Sequence, residues 1–187
     1  MKADIAKRSL LVGALALLAG CGVGDLVTEA RQGLHFFVVN ERLMMRGEVI
    51  GCTPAAFADV IAQNNDVTMV VLQDMRGIHD AEAVRVMGRM IRARGLGTAL
   101  HSDSVLEGVA VDLFLSGVAR RMMAGAQITF VAGQSDEARQ EYLREMIGTD
   151  GFYEFALQTA PADGIHMMTE DEITQNGLLT TPVVRLN

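Results

Sequence analysis

Cysteine is almost absent from this chain: Cys21 and Cys52 are the only two in 187 residues. With Cys21 assigned to the N-terminal signal described below, Cys52 has no partner for an intramolecular disulfide, even in an oxidising compartment. It reads as a small buried hydrophobe beside a turn. Histidine is sparse as well. His35, His79, His101 and His166 lie far apart with no helical ligand spacing, so no zinc or iron site is expected. Basic residues are outnumbered, 16 Lys and Arg against 23 Asp and Glu, for a net charge of −7. Binding a phosphate backbone needs Lys and Arg clustered on one face, so nucleic acid is excluded as a partner. The chain has no Gly-x-Ser-x-Gly elbow, no Walker loop and no dinucleotide fingerprint, and no cofactor is expected. It has neither a repeat of fixed period nor a low-complexity tract. Past Leu18 no apolar run is long enough to cross a bilayer.

What the N-terminus does have is a leader. Met1 to Arg8 is basic, Ser9 to Leu18 is apolar, and Leu18-Ala-Gly-Cys21 follows. A basic head, a short apolar run and small residues before a cut describe a secretory signal, too short to span a bilayer as a folded helix. Leu-Ala-Gly-Cys resembles the bacterial lipobox, which implies lipidation of Cys21, membrane attachment through that lipid and a place in the bacterial envelope. Gly22 follows instead of an acidic residue, and by the same resemblance this implies the outer membrane, facing the periplasm. Residues 1–20 carry Lys2, Lys7 and Arg8 against Asp4, so their removal takes the net charge from −7 to −9. The expected organisation is a signal peptide at 1–20, a linker at 21–34 and one domain at 35–187, since a chain of this length supports one core.

Along the domain, His35 to Val39 and Leu43 to Ile50 read as a hairpin turning at Asn40-Glu41. Thr53 before Pro54 reads as an N-cap with proline at the first helical position, opening a helix from Pro54 to Gln63 with Phe57, Val60 and Ile61 on one face. Val67 to Leu72 is a continuous apolar run, as a doubly covered parallel strand requires. From Asp80 to Arg94, Ala83, Val84, Met87, Met90 and Ile91 recur at helical spacing; Arg85, Arg89, Arg92 and Arg94 take other faces as a solvated surface, and Gly95 ends the helix. Strands are expected at 98–101, 127–131 and 178–185, and helices at 109–115, 135–146, 151–158 and 169–175. The twelve methionines fall mostly on apolar stripes and read as core filler. Alternating strands and helices with short connections predict an α/β fold, a mostly parallel sheet with helices on its faces.

The segment Asp103 to Gly117 carries most of the functional information. It reads as a loop, a tight turn at Gly108 and an apolar helix from Val109 to Leu115, the arrangement that sets a reactive residue where free helix-terminal amides favour negative charge. Glu107 and Gly108 stand at the turn, and neither is a hydroxyl nucleophile. Ser102 and Ser104 lie near His101, but residues so close along a strand and loop rarely converge into a dyad. Asp112, within the apolar helix, reads as a capping or buried hydrogen-bonding group.

Read together, several segments resemble the Clp-protease and crotonase superfamily, in particular periplasmic alpha/beta-hydrolase-like proteins related to Clp proteases. They are Arg46-Gly-Glu-Val-Ile50, Thr53-Pro-Ala-Ala-Phe57, Val70-Val-Leu-Gln-Asp-Met-Arg-Gly77, Ile91-Arg-Ala-Arg-Gly-Leu96, Val111-Asp-Leu-Phe-Leu-Ser-Gly117 and Ala160 to Thr169. The resemblance covers about Met45 to Thr180. It implies a Clp/crotonase-like ββα spiral, an oxyanion hole from the Gly77 and Val109 amides, and homo-oligomer formation. It also puts the nucleophile at Gly108 and the base histidine at Val131, with Arg76 and Ile78 altering the glycine loop. Two groups that acyl transfer needs are thereby missing. The implied protein is a catalytically inactive relative that binds a peptide, a protein or a small molecule. An alignment shifted by one residue puts Glu107 at the turn, where it would act as acid or base beside the Gly77 and Val109 amides.

Overall fold

The computed structural model describes residues 33–131, 136–161 and 164–185. The leader, Cys21 and most of the 21–34 segment lie outside them. Leu34 lies inside them and is buried in the core.

Strands β1 (His35–Val39) and β2 (Arg42–Arg46) pair antiparallel with Val39 opposite Arg42. The two-residue turn between them is the expected one, and Asn40 takes the positive φ of 54° that such a turn favours. The strand stops at Arg46 instead of reaching Ile50, because Gly47 turns to φ 111° and its N–H leaves the ladder to donate to Asp74 O at 2.8 Å. Helix α1 (Thr53–Gln63) follows, with Phe57 and Ile61 buried. Thr53, expected from sequence to be its cap, is not. Cys52 holds that position with no capping hydrogen bond from its side chain, and Thr53 Oγ1 accepts instead from Ile50 N at 2.9 Å, tying the preceding loop down.

Strand β3 (Met69–Met75) runs parallel to β2 on one side and to β4 (Gly97–Glu107) on the other. Between them lies helix α2 (Ala81–Ala93), capped by the Asp80 carboxylate on Ala83 N, with Ala83, Val84, Met87 and Ile91 buried as its periodicity requires. Its arginines are not simply a solvated face. The Arg92 guanidinium donates to Leu115 O and Met146 O, Arg85 pairs with Glu82 and Asp136, and Arg89 lies over the Tyr142 ring and pairs with Glu145. These side chains stitch α2 to the two helices that follow.

The largest departure from sequence expectation is β4. Asp103 to Glu107, expected as a loop, continues the strand for eleven residues in all. A register irregularity opposite Leu72 and Asp74 divides it, and Ser104 fills that gap: its buried hydroxyl accepts from His101 N at 2.9 Å and donates to Leu72 O at 2.6 Å. Helix α3 (Ala110–Leu115) is buried at every position. Strand β5 (Arg120–Met122), unanticipated, pairs with the first half of β4, and β6 (Gln127–Val131) with its last residues. Helices α4 (Glu137–Ile147) and α5 (Gly151–Thr159), strand β7 (Ile165–Met167) and helix α6 (Glu170–Gln175) complete the order. The expected strand at 178–185 reduces to one bridge between Met123 and Val184, because Arg120 gathers that stretch instead, donating to Gly177 O and Leu178 O.

The seven-stranded sheet runs β1-β2-β3-β4-β6-β7 with β5 on β4; only the outer pairs, β1–β2 and β6–β7, are antiparallel. The core gathers residues of the sheet and of helices α1 to α6. No described helix is long and apolar enough to cross a membrane.

Candidate functional site

Parallel strands deliver their C-terminal ends to one edge, where the following loops build sites. Here the pairing of Met75 with Leu106 and of Glu107 with Thr129 sets the Gly77 loop, the Gly108 turn and the end of β6 side by side. Gly77 takes φ 108° and Gly108 φ 61°, conformations that glycine adopts without the Cβ penalty.

The Gly77 loop is laced to the loop after β2. Val49 N donates to His79 Nδ1 at 3.0 Å, so the imidazole carries its proton on Nε2 and donates it to Met75 O at 3.0 Å. Asp80 N donates to Val49 O at 2.8 Å. His79 is therefore a buried brace of the loop. The Glu48 carboxylate accepts from Ile78 N at 3.3 Å and occupies the space a Cβ on Gly77 would need. Arg76 is held away in a two-pronged pair with Asp74, at 2.7 and 2.6 Å, and the hydrogen bonds from Arg76 keep the Asp74 carboxyl below its ordinary range. Glu107 lies near enough for its charge to raise the Arg76 guanidinium further, after the larger effect of Asp74.

At the turn, Gly108 N donates to Thr129 O at 3.0 Å and is spent in the sheet. Val109 begins α3 in helical conformation, and its amide donates to no acceptor among the described residues. A side chain at Gly108 would meet nothing within 4 Å. Val131 ends β6, two residues beyond Thr129, and is exposed. Asp112, on the far side of α3, is buried in a two-pronged pair with Arg139 at 2.8 Å on both arms. Burial pushes its carboxyl up and the guanidinium opposes that shift. Ser104 is consumed by backbone bonds and forms no dyad with the His101 ring. Among the described residues no group of three or more His, Cys, Asp or Glu could hold a metal ion.

With this geometry in hand, the chain can be set beside solved structures. It matches an enoyl-CoA hydratase/isomerase from Cupriavidus metallidurans at 15% identity and TM-score 0.54, over 81% of this chain and 68% of that one. It matches another member of the enoyl-CoA hydratase/isomerase family at 12% identity and TM-score 0.57, over 82% and 70%. A Legionella pneumophila protein classed with the crotonases matches at 11% and 0.57, over 81% and 70%. The fold is that of the crotonases. At such identities the likeness speaks for the crotonase fold and not for its chemistry. No protein-family model and no curated sequence matches the chain significantly.

Sequence reasoning picked out Gly77, Glu107, Gly108, Val109 and Val131, and in this crotonase fold all five lie at or just beyond the ends of the neighbouring strands β3, β4 and β6. It missed Glu48, Arg76 as a partner of Asp74, and His79. The signal for Glu48 and His79 was their place just beyond strand ends, but which amide each would meet depends on how two loops thirty residues apart are laid together.

Proposed function

We propose that this is a lipid-anchored protein of the bacterial envelope, facing the periplasm, whose crotonase-like domain has no hydrolytic activity and acts by binding. The observation that carries this reading is the Glu48 carboxylate on the Ile78 amide. An oxyanion hole needs free donors around a site where negative charge can grow. Here a fixed negative charge already sits on the Gly77 loop, and Glu107 adds a second nearby. Glycine at 108 offers no nucleophile and valine at 131 no base. The leader and Leu18-Ala-Gly-Cys21 support the anchor and location.

Activity-based labelling tests the catalytic half. A fluorophosphonate probe should leave the protein unlabelled, and ester, peptide and enoyl-CoA substrates should turn over at background rates. Mass spectrometry of the mature chain tests the anchor: it should begin at Cys21 and carry lipid, and Cys21→Ser should move the protein out of the membrane fraction with its fold intact. A mature terminus elsewhere would sink that half alone.

A second reading is favoured by the place of Glu107, two residues before Val109 and near enough to Arg76 for its charge to be felt there. In it the protein is a crotonase-type enzyme or hydrolase with Glu107 as acid or base on a carbonyl polarised by Gly77 and Val109. Turnover abolished by Glu107→Gln would establish it.

A further inference from the structure

The side of the sheet turned away from the helices holds a second feature, at the opposite end of the strands from Gly77. Alternation along a strand sends neighbouring residues to opposite faces. Val70, Leu72 and Leu100 join the core beneath the helices, so Met69, Val71 and Ala99 face the other way. Val71 is fully buried yet stands outside that core. Together with Met123 and the bridging Val184 these residues floor a hollow of about 290 Å³, to which no helix contributes. Its polar rim is Arg42, Arg121 and His101, with Glu41 the one carboxylate.

Two features point to an occupant. The rim is cationic in a chain of net charge −7. The described ion pairs engage Arg76, Arg85, Arg89, Arg139, Arg144 and Arg185, and leave Arg42 and Arg121 without an acidic partner. An apolar floor between two unengaged guanidinium groups complements an apolar tail with a negative head, and a volume at the small end of ligand pockets, which run from about 300 Å³ upward, limits the tail to a short one. A second copy of the chain would set this rim against its own Arg42 and Arg121.

We propose that this hollow binds a small amphipathic anion, a short alkyl or aryl tail bearing a carboxylate or phosphate, with Arg42 and Arg121 holding the head and Met69, Val71 and Ala99 receiving the tail. This proposal is independent of what the Gly77 loop does. Amide NMR of the whole purified protein, titrated with octanoate and with octyl phosphate, tests it and distinguishes the two heads. Saturable shifts at Ala99, His101 and Met123 are expected from at least one of them, with 1-octanol and inorganic phosphate each binding at least tenfold more weakly. Arg42→Glu with Arg121→Glu should weaken binding at least tenfold at an unchanged melting temperature, since both side chains are exposed. Ala99→Leu should block the tail. Equal binding of octylamine, no saturable shift with either anion, shifts centred on Gly77 and Glu107, or indifference to the double arginine variant would each overturn the proposal.

Discussion

Asp112 is a carboxylate with 2% of its side chain exposed, held by an arginine with 15% exposed. Its own backbone carbonyl accepts from the Tyr142 hydroxyl at 3.1 Å, so one residue of α3 fastens α4 at two points. Removing one partner of such a pair leaves a buried charge uncompensated, which costs about 3–5 kcal/mol. Arg139→Met should therefore lower stability by that order in urea denaturation with an unchanged m value, and Asp112→Asn by less. Glycine carries two contrasting predictions. At Gly88, inside α2, a Cβ would overlap the Tyr142 hydroxyl, and Tyr142 is fully buried and cannot yield. Gly88→Ala should destabilise by about 1–3 kcal/mol although alanine is the better helix former. At Gly108 the space is open and only the positive φ resists, so Gly108→Ala should cost about 1 kcal/mol. Gly108→Ser should then fold, which makes Gly108→Ser with Val131→His a fair attempt to install the missing pair; weak labelling by a fluorophosphonate probe would be its readout.

Among the elements, α6 shows its stabilisation most openly. Thr169 and Glu172 form a reciprocal capping box, and Glu172 also lies 3.2 Å from His166 Nε2. The Thr169 backbone N–H, and after it the His166 ring, hold the Glu172 carboxyl below its ordinary value of 4.5. A carboxyl lowered on folding adds stability that is present above its unfolded value and is lost as the pH falls through the folded one. Glu172→Ala should accordingly lower the urea midpoint at neutral pH, and the difference should shrink as the pH falls below 4.5 and through the lowered folded value, where the carboxylate becomes protonated in both states. Thr169→Ala should cost about 1 kcal/mol across the whole range. The extent of α6 and the buried stripe of α2 were legible in sequence because both depend on residues within one or two turns. The second half of β4 was not. Asp103 and Glu107 are polar and Gly108 is a turn former, which locally favours a loop; pairing with β3 on one side and β6 on the other overrides that preference.

For the whole molecule, most of the order of strands and helices followed from periodicity, β5 and β7 being missed, and the mostly parallel sheet followed from that order. Residues 45–180 carried the resemblance to the fold that the solved crotonases share. The tertiary structure alone decided what stands around the site. Glu48 reaches the Ile78 amide and His79 braces Val49 and Met75 only because the loops after β2 and β3 lie together, and nothing in either local sequence encodes that contact. The same holds for Asp112 with Arg139, twenty-seven residues apart, and for Arg42 with Arg121, which share a rim because β2 and β5 flank β3 and β4. Periodicity and composition are local quantities and fix which face a residue turns to. Which residue it then meets is set by strand order and register, and these are properties of the folded sheet.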